Sequence, residues 1–178
     1  YDVIIVPDAA SNDSQYASNL KCPVLTLDHH ILEDEYLSEN LILINNQTSD
    51  KYRNKNLSGA GVVWQFCRAL DYFFNVSYAD NFIDLTALGI VSDMMGMLEY
   101  ENQYIIQTGF KNIQNFFFKY LVEKQDYSMG GKINPITVAF YITPMLNAMI
   151  RVGSMEEKGR LFLAFIDGEK LVINENSN

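Results

Sequence analysis

Three short apolar runs, rich in β-branched residues, constrain this chain more than any other feature. They cover residues 2–6, 23–27 and 41–44, and each one ends at polar residues. Runs that are apolar on both faces are typical of parallel strands covered by helices. The connections between them are long enough for crossovers. We therefore predict an α/β fold with a parallel sheet flanked by helices, followed by a mainly helical segment.

From residue 58 onward the apolar residues recur at helical spacing, with Ser58 as a predicted N-cap. This pattern predicts helices over 58–74, 78–93 and 101–119. Pro144 should break or restart the apolar stretch 136–152, and a last helix is predicted from 154 to 165. The stretch 125–132 contains Gly130 and Gly131 and is predicted to be a linker. We therefore expect two units, residues 1–124 and residues 125–178.

Composition limits the classes of function. With 178 residues, 48% of them hydrophobic, the chain is long enough and apolar enough to bury a substantial core. A net charge of −9 argues against a protein that binds nucleic acid over its whole surface. Bound divalent cations would reverse the potential of an acidic pocket locally. We expect no apolar run to reach the roughly 18 residues of a membrane span, and therefore predict a soluble, cytoplasmic protein.

The candidate chemistry lies where the first two apolar runs end. Asp28, His29 and His30 follow the second run, and Asp8 follows the first. Ligands of open α/β sheets bind beyond the carboxyl ends of the strands, so these side chains should share one crevice. Each Asp alone could be a helix cap or a turn former, and the histidines could belong to an ordinary loop. Their joint placement favours a site for manganese or magnesium.

At this point the residues resemble a known family. Asp28-His29-His30 after an apolar strand resembles the signature of the DHH phosphoesterases. Residues 6–13, 57–63, 87–93 and 101–109 are similar to other motifs of this family in order and spacing. Residues 143–151, which include Asn147 and Arg151, resemble an element of the RecJ-type single-strand exonucleases. The resemblance covers residues 2 to about 165.

The resemblance implies a role for each matching residue. Asp8 would bridge two divalent metal ions, manganese or magnesium, and His29 and Asp93 would be further metal ligands. His30 would face the scissile phosphate, and Asp28 would orient a histidine. Enzymes of this family hydrolyse phosphoesters, and the RecJ branch digests single-stranded DNA from the 5′ end. The expected partner is therefore single-stranded DNA, in DNA repair and recombination.

Four further residues are expected to bind substrate. Gly59 and Gly61 begin a predicted helix, where they allow close approach of either a phosphate or a neighbouring strand, and close packing is slightly favoured. Arg151 could bind phosphate through its guanidinium fork or form a surface ion pair. Asn147 belongs to the same RecJ-type element as Arg151.

The chain also departs from the family pattern. The first motif, an Asp-x-Asp element, is absent and is expected before Tyr1, and Met145 and Ile150 replace residues usual in the exonuclease branch. We therefore expect residues 1–124 to be a phosphoesterase core without its first motif. Residues 125–178 would lead to a missing substrate domain, and the fragment would be inactive alone. The alternatives are a phosphodiesterase for oligoribonucleotides or cyclic dinucleotides, a pyrophosphatase, and a non-catalytic nucleic-acid-binding module.

Overall fold

The computed structural model of the chain describes residues 1–33 and 38–175. Its sheet contains three parallel strands in the order β1-β2-β3. They are β1 (Ile4–Pro7), β2 (Val24–Asp28) and β3 (Leu41–Asn45). The predicted α/β class, with its parallel sheet, is confirmed.

Helices make up most of the remaining described chain. A 3-10 helix (Ser11–Asn19) joins β1 to β2, and another (Ala79–Phe82) precedes α2. The α-helices are α1 (Gly59–Phe74), α2 (Ile83–Ser92), α3 (Tyr100–Lys111), α4 (Phe116–Met129), α5 (Pro135–Tyr141), α6 (Thr143–Val152) and α7 (Met155–Glu175). Ser58 caps α1 as predicted, because its Oγ accepts a hydrogen bond from the Gly61 N–H.

The helix predicted over 101–119 is wrong in one respect, because it is two helices. The carboxylate of Asp84, buried at 1% exposure, accepts hydrogen bonds from the backbone N–H groups of Gln114 (2.8 Å) and Asn115 (2.7 Å). Asn115 then caps α4 by accepting from the Phe118 N–H at 3.0 Å. A polar residue on another helix therefore ends α3, and helical periodicity along residues 101–119 could not reveal it.

The linker predicted over 125–132 is also shorter than expected. Residues 125–129 complete α4, which ends at Gly130 in the left-handed conformation (φ 62°). The predicted boundary between residues 124 and 125 therefore falls inside α4. Val138 and Ile142, both at 0% exposure, lie in the same hydrophobic core as Leu27 of β2. The division into two units stays a prediction.

One stretch, Pro135–Val152, has the length and apolar character of a membrane span. This corrects the expectation that no stretch reaches that length. It forms two helices, because α5 ends at Tyr141 and α6 begins at Thr143, near the break that Pro144 predicts. Length and composition in one such stretch are weak evidence for a membrane crossing.

Close helix packing brings the end of α2 near the start of α1. A Cβ atom at Gly89 of α2 would lie 2.6 Å from the Cβ of Ala60 in α1. The two helices therefore approach at a point where only glycine fits. This contact places the C-terminal part of α2 beside the start of α1, where Gly59 lies against Asp8, the residue after β1.

Candidate metal centre

Asp8 and His29 meet at the carboxyl ends of β1 and β2. The Asp8 N–H donates to the Leu27 carbonyl at 2.8 Å, which continues the pairing of the two strands. The Asp8 backbone is left-handed (φ 59°), a conformation that Asp tolerates better than most residues and that is common at functional sites. Asp8 Oδ1 lies 3.3 Å from His29 Nε2.

The pKa of His29 reflects this contact. The hydrogen bond to Asp8 raises the pKa of the imidazole, and desolvation lowers it by less. The charges of Asp8, Asp93 and Asp28 raise it further. An imidazole surrounded by three carboxylates favours a positive charge, either a proton or a metal ion.

Asp28 holds the two histidines in place through hydrogen bonds. It is 1% exposed, and its Oδ1 accepts from the His29 N–H and from His30 Nδ1, both at 2.7 Å. Its Oδ2 accepts from the Ser11 N–H at 3.1 Å. Burial alone would raise the pKa of Asp28, but the hydrogen bonds from Ser11, His30 and His29 lower it to about 2. Asp28 is therefore an ionised anchor for the two histidines.

Gly59, the first residue of α1, lies directly against the Asp8 carboxylate. A Cβ atom at this position would overlap Asp8 Oδ1 and lie 2.5 Å from its Cγ. The absent side chain therefore makes room for Asp8. The sequence left two alternatives for Gly59, approach of a phosphate or close packing. The structure supports close packing, and the group that packs against Gly59 is the Asp8 carboxylate.

Asp93 follows α2, and its N–H donates to the Gly89 carbonyl at 3.0 Å. Desolvation, followed by the charge of Asp8, raises the pKa of Asp93, and the charges of His29 and His30 lower it. Asp93 is thus within electrostatic range of Asp8 and both histidines. Asp93 is the residue that follows α2, far along the chain from Asp8.

The donor set suits a divalent cation. Among the described residues, Asp8, Asp28, His29 and His30 each offer one ligand atom, and these atoms lie within 4.8 Å of one another. Carboxylate oxygens and an imidazole nitrogen are suitable ligands for manganese, and carboxylates also suit magnesium. Because Asp28 already accepts hydrogen bonds from Ser11, His29 and His30, Asp8 and His29 are the better ligands of these four residues. Asp93, the third predicted ligand, does not belong to this group, although its charge acts on His29.

The structure locates the other predicted residues less directly. Gly61 faces Leu57, since a Cβ atom there would lie 2.5 Å from the Leu57 Cγ. Asn147 is half-buried and Arg151 is exposed, one turn apart on α6. The start of α6 approaches the site, because Thr143 Oγ1 lies 3.1 Å from the Oγ of Ser92, which precedes Asp93. The substrate-binding roles of these residues stay predictions.

Three residues near the histidines were missed by the sequence analysis. Ser11 contacts Asp28, and the side-chain amides of Asn45 and Gln47 donate to the backbone carbonyls of His30 (2.9 Å) and His29 (3.1 Å). One signal was available for Asn45. It ends the third strand, and parallel strands present their carboxyl ends at the same sheet edge.

Comparison with known structures first defines the class of the fold. The crystal structure of exonuclease RecJ bound to manganese has the same fold, with a TM-score of 0.77 and 23% sequence identity. The match covers 98% of this chain and 45% of the RecJ chain. RecJ from Thermus thermophilus in complex with Mn²⁺ also has a TM-score of 0.77 and 23% identity, over 93% of this chain and 25% of that one. The fold is therefore that of a RecJ core.

Sequence relatives then narrow the class. The chain is 38% identical over 168 residues to the putative SPbeta prophage-derived single-strand DNA-specific exonuclease YorK of Bacillus subtilis (strain 168), covering 93% of this chain and 29% of that protein. It is 28% identical over 169 residues to the single-stranded-DNA-specific exonuclease RecJ of the same organism, covering 92% of this chain and 21% of that protein. No family model matches the chain. The resemblance to RecJ-type exonucleases is confirmed, and the chain spans 29% or less of the length of these relatives.

Proposed function

We propose that this chain is the core of a metal-dependent phosphoesterase that hydrolyses single-stranded DNA. One observation carries the proposal: Asp8 Oδ1 and His29 Nε2 lie 3.3 Å apart at the carboxyl ends of two adjacent parallel strands. Asp93, which follows α2, is not one of the four residues whose ligand atoms lie within 4.8 Å of one another, but the charges of Asp8 and His29 act on its carboxyl group. We propose that Asp8 and His29 hold the cation, with Asp93 as a further ligand.

The surroundings of each residue suggest its role in the proposed reaction. Asp8, His29 and Asp93 would hold divalent metal, manganese or magnesium, and the family pattern implies two ions. When bound, such ions activate water and stabilise charge on phosphate oxygens. His30 is 57% exposed, and its Nδ1 is held by Asp28, which leaves its Nε2 as the ring atom that would meet a phosphate oxygen. Asp28 fixes the His30 ring rather than contacting the substrate.

The relatives support the choice of substrate and metal. The Bacillus proteins are named as exonucleases specific for single-stranded DNA, and the solved RecJ structures contain manganese. By analogy we propose 5′-to-3′ digestion of single-stranded DNA, in DNA repair and recombination in the cytoplasm. Asn147 and Arg151 would contact the DNA, whereas Gly59 and Gly61 are buried against Asp8 and Leu57 and would act only by making room for these side chains. Residues 1–124 would form the phosphoesterase core, and 125–178 the segment that leads to a substrate domain.

Hydrolysis of a 5′-phosphorylated single strand tests this function. The full-length protein, supplied with Mn²⁺, should shorten the strand, and Asp8→Asn should reduce the rate at least about 100-fold because it removes a ligand charge. Asp80→Asn is the matched control, since Asp80 is similarly exposed but pairs with Arg68 at 3.7 Å. Full activity in Asp8→Asn, or an undigested strand with the unmodified protein, would refute the proposal.

A second candidate is an enzyme for small substrates, such as oligoribonucleotides, cyclic dinucleotides or pyrophosphate. The net charge of −9 favours it, because long nucleic acids are bound through clustered Lys and Arg. Comparing kcat/KM for a dinucleotide and for a long single strand separates the two. Preference for the long strand excludes the second candidate, and no hydrolysis of either would favour a non-catalytic binding module.

A further inference from the structure

Two side-chain amides hold the backbone of the histidine pair. Asn45 is 4% exposed and lies beside Asp28, its partner in the β2–β3 register. Its Nδ2 donates to the His30 carbonyl and to Ser11 Oγ, both at 2.9 Å. Its Oδ1 accepts from the Gln47 N–H at 2.7 Å. The side-chain amide of Asn45 therefore makes three hydrogen bonds in a fixed orientation.

Gln47 holds the preceding peptide in the same way. Its Nε2 donates to the His29 carbonyl at 3.1 Å and to the Lys55 carbonyl at 2.8 Å. The turn that carries Gln47 is itself braced by Lys55, whose Nζ donates to the carbonyls of Asn46 and Ser49, both at 2.7 Å. Gln47 is thus a fixed support rather than a mobile surface side chain.

The histidine pair is consequently held from both sides of its backbone. Asp28 accepts from the His29 N–H, and Gln47 and Asn45 donate to the carbonyls of His29 and His30. We propose that Asn45 and Gln47 are positioning residues, which set where the two imidazoles point relative to Asp8. This inference rests on the proposed metal-dependent function. Partners of this kind that orient ligating histidines affect metal affinity without touching the metal.

Neutral, nearly isosteric variants test the inference without adding charge to the site. Gln47→Met removes the donor to His29, and Asn45→Leu removes the donor to His30. Asn40→Leu is the matched control, because Asn40 Nδ2 also donates to a backbone carbonyl, that of Leu20 at 2.9 Å, beside the opposite end of β3. In the full-length protein we would measure Mn²⁺ affinity by calorimetry, kcat and KM for a single strand, and the thermal unfolding midpoint.

We expect the Mn²⁺ dissociation constant to rise about 10- to 100-fold in both variants, as is typical when a partner of a ligating histidine is lost. At saturating Mn²⁺, kcat should fall about 10-fold with KM within about twofold, because the imidazoles are misplaced but strand binding is not. Asn40→Leu should leave the Mn²⁺ dissociation constant, kcat and KM within about twofold of the values for the unmodified protein.

Unchanged Mn²⁺ affinity and kcat in Gln47→Met would overturn the inference. So would a loss that only follows a lower unfolding midpoint, since this would reveal a purely structural role. Gln47 is only half-buried, so its substitution is less disruptive to folding. If Asn45→Leu does not fold, the result for Gln47→Met alone decides the inference. If the unmodified protein binds Mn²⁺ but digests no DNA, the proposed function fails. The Mn²⁺ comparison would still decide the positioning role.

Discussion

At the scale of single residues, Asp28 couples the site to stability. Burial raises its pKa, but hydrogen bonds outweigh burial and lower the pKa from 3.8 to about 2, so the folded state prefers the ionised carboxylate. The resulting stabilisation is present above pH 3.8 and is lost as the pH falls towards 2. A shift of this size corresponds to about 2 kcal/mol.

Asp28→Asn should therefore lower the free energy of unfolding by about 2 kcal/mol at pH 7. The difference from the unmodified chain should shrink as the pH falls from about 5 to about 2. Urea unfolding at several pH values measures it. Asp13→Asn, at an exposed position, controls for the loss of one negative charge. A difference that stays constant down to the lowest pH would contradict the assigned role.

Another residue-scale prediction concerns Gly59. A Cβ atom there would overlap Asp8 Oδ1, so Gly59→Ala should displace the carboxylate and weaken Mn²⁺ binding at least about 10-fold. Gly159→Ala is the matched control, because a Cβ atom at Gly159 of α7 meets nothing within 4 Å. Calorimetric titration of both variants with Mn²⁺ compares them. Equal affinities would show that Asp8 does not depend on this gap.

At the scale of elements, Asp84 of α2 determines where α3 ends and α4 begins. Its buried carboxylate accepts from the backbone N–H groups of Gln114 and Asn115. Asp84→Ala leaves these donors without their acceptor and should cost about 2–4 kcal/mol. Asp80→Ala, exposed in the preceding 3-10 helix, should cost less than about 0.5 kcal/mol. Chemical unfolding measures the free energy of unfolding of both variants. Similar losses in the two variants would contradict the role of Asp84 between α3 and α4.

Sequence periodicity predicted the elements that depend on local pattern. The three strands and the restart near Pro144 appear as expected, because apolar runs and proline act over a few residues. The separation of α3 from α4 depends on Asp84, 30 residues away from Gln114, and no local pattern contains it. The same contrast between local patterns and long-range contacts explains which site residues could be predicted from the sequence. Asp8, Asp28, His29 and His30 belong to recognisable motifs, whereas Asn45, at the end of β3, and Gln47, in the turn that follows, act through amide side chains that match no motif.

At the scale of the whole molecule, the proposed metal binding would reconcile the acidic composition of the chain with the proposed nucleic-acid substrate. The net charge of −9 repels phosphate at long range, but a cation held by Asp8, His29 and Asp93 would reverse the potential locally. DNA contacts would then be concentrated at the site rather than spread over the surface. The same charge attracts divalent ions and is screened by salt.

The same scale decides whether residues 125–178 fold as a separate unit. Helix α4 runs continuously through the predicted boundary, and Ile142, at 0% exposure, lies in the same core as Trp64 of α1. Shared burial predicts one cooperative unfolding transition. Trp64 is the only tryptophan of the chain, so its fluorescence reports on residues 1–124, whereas far-ultraviolet circular dichroism reports on all helices.

Ile142→Ala should therefore lower the free energy of unfolding by about 2–5 kcal/mol, because it leaves a cavity in the shared core. The Trp64 fluorescence transition and the dichroism transition should move together, although Ile142 lies beyond the boundary. Ile136→Ala is the matched control in α5, since Ile136 is 69% exposed and its loss should change little. In Ile142→Ala, part of the dichroism transition could move to a lower denaturant concentration while the Trp64 fluorescence transition stays where it is in the unmodified chain. That result would establish two independently unfolding units. It would also support the predicted division into two units, because the core around Trp64 would then not need α5 and α6.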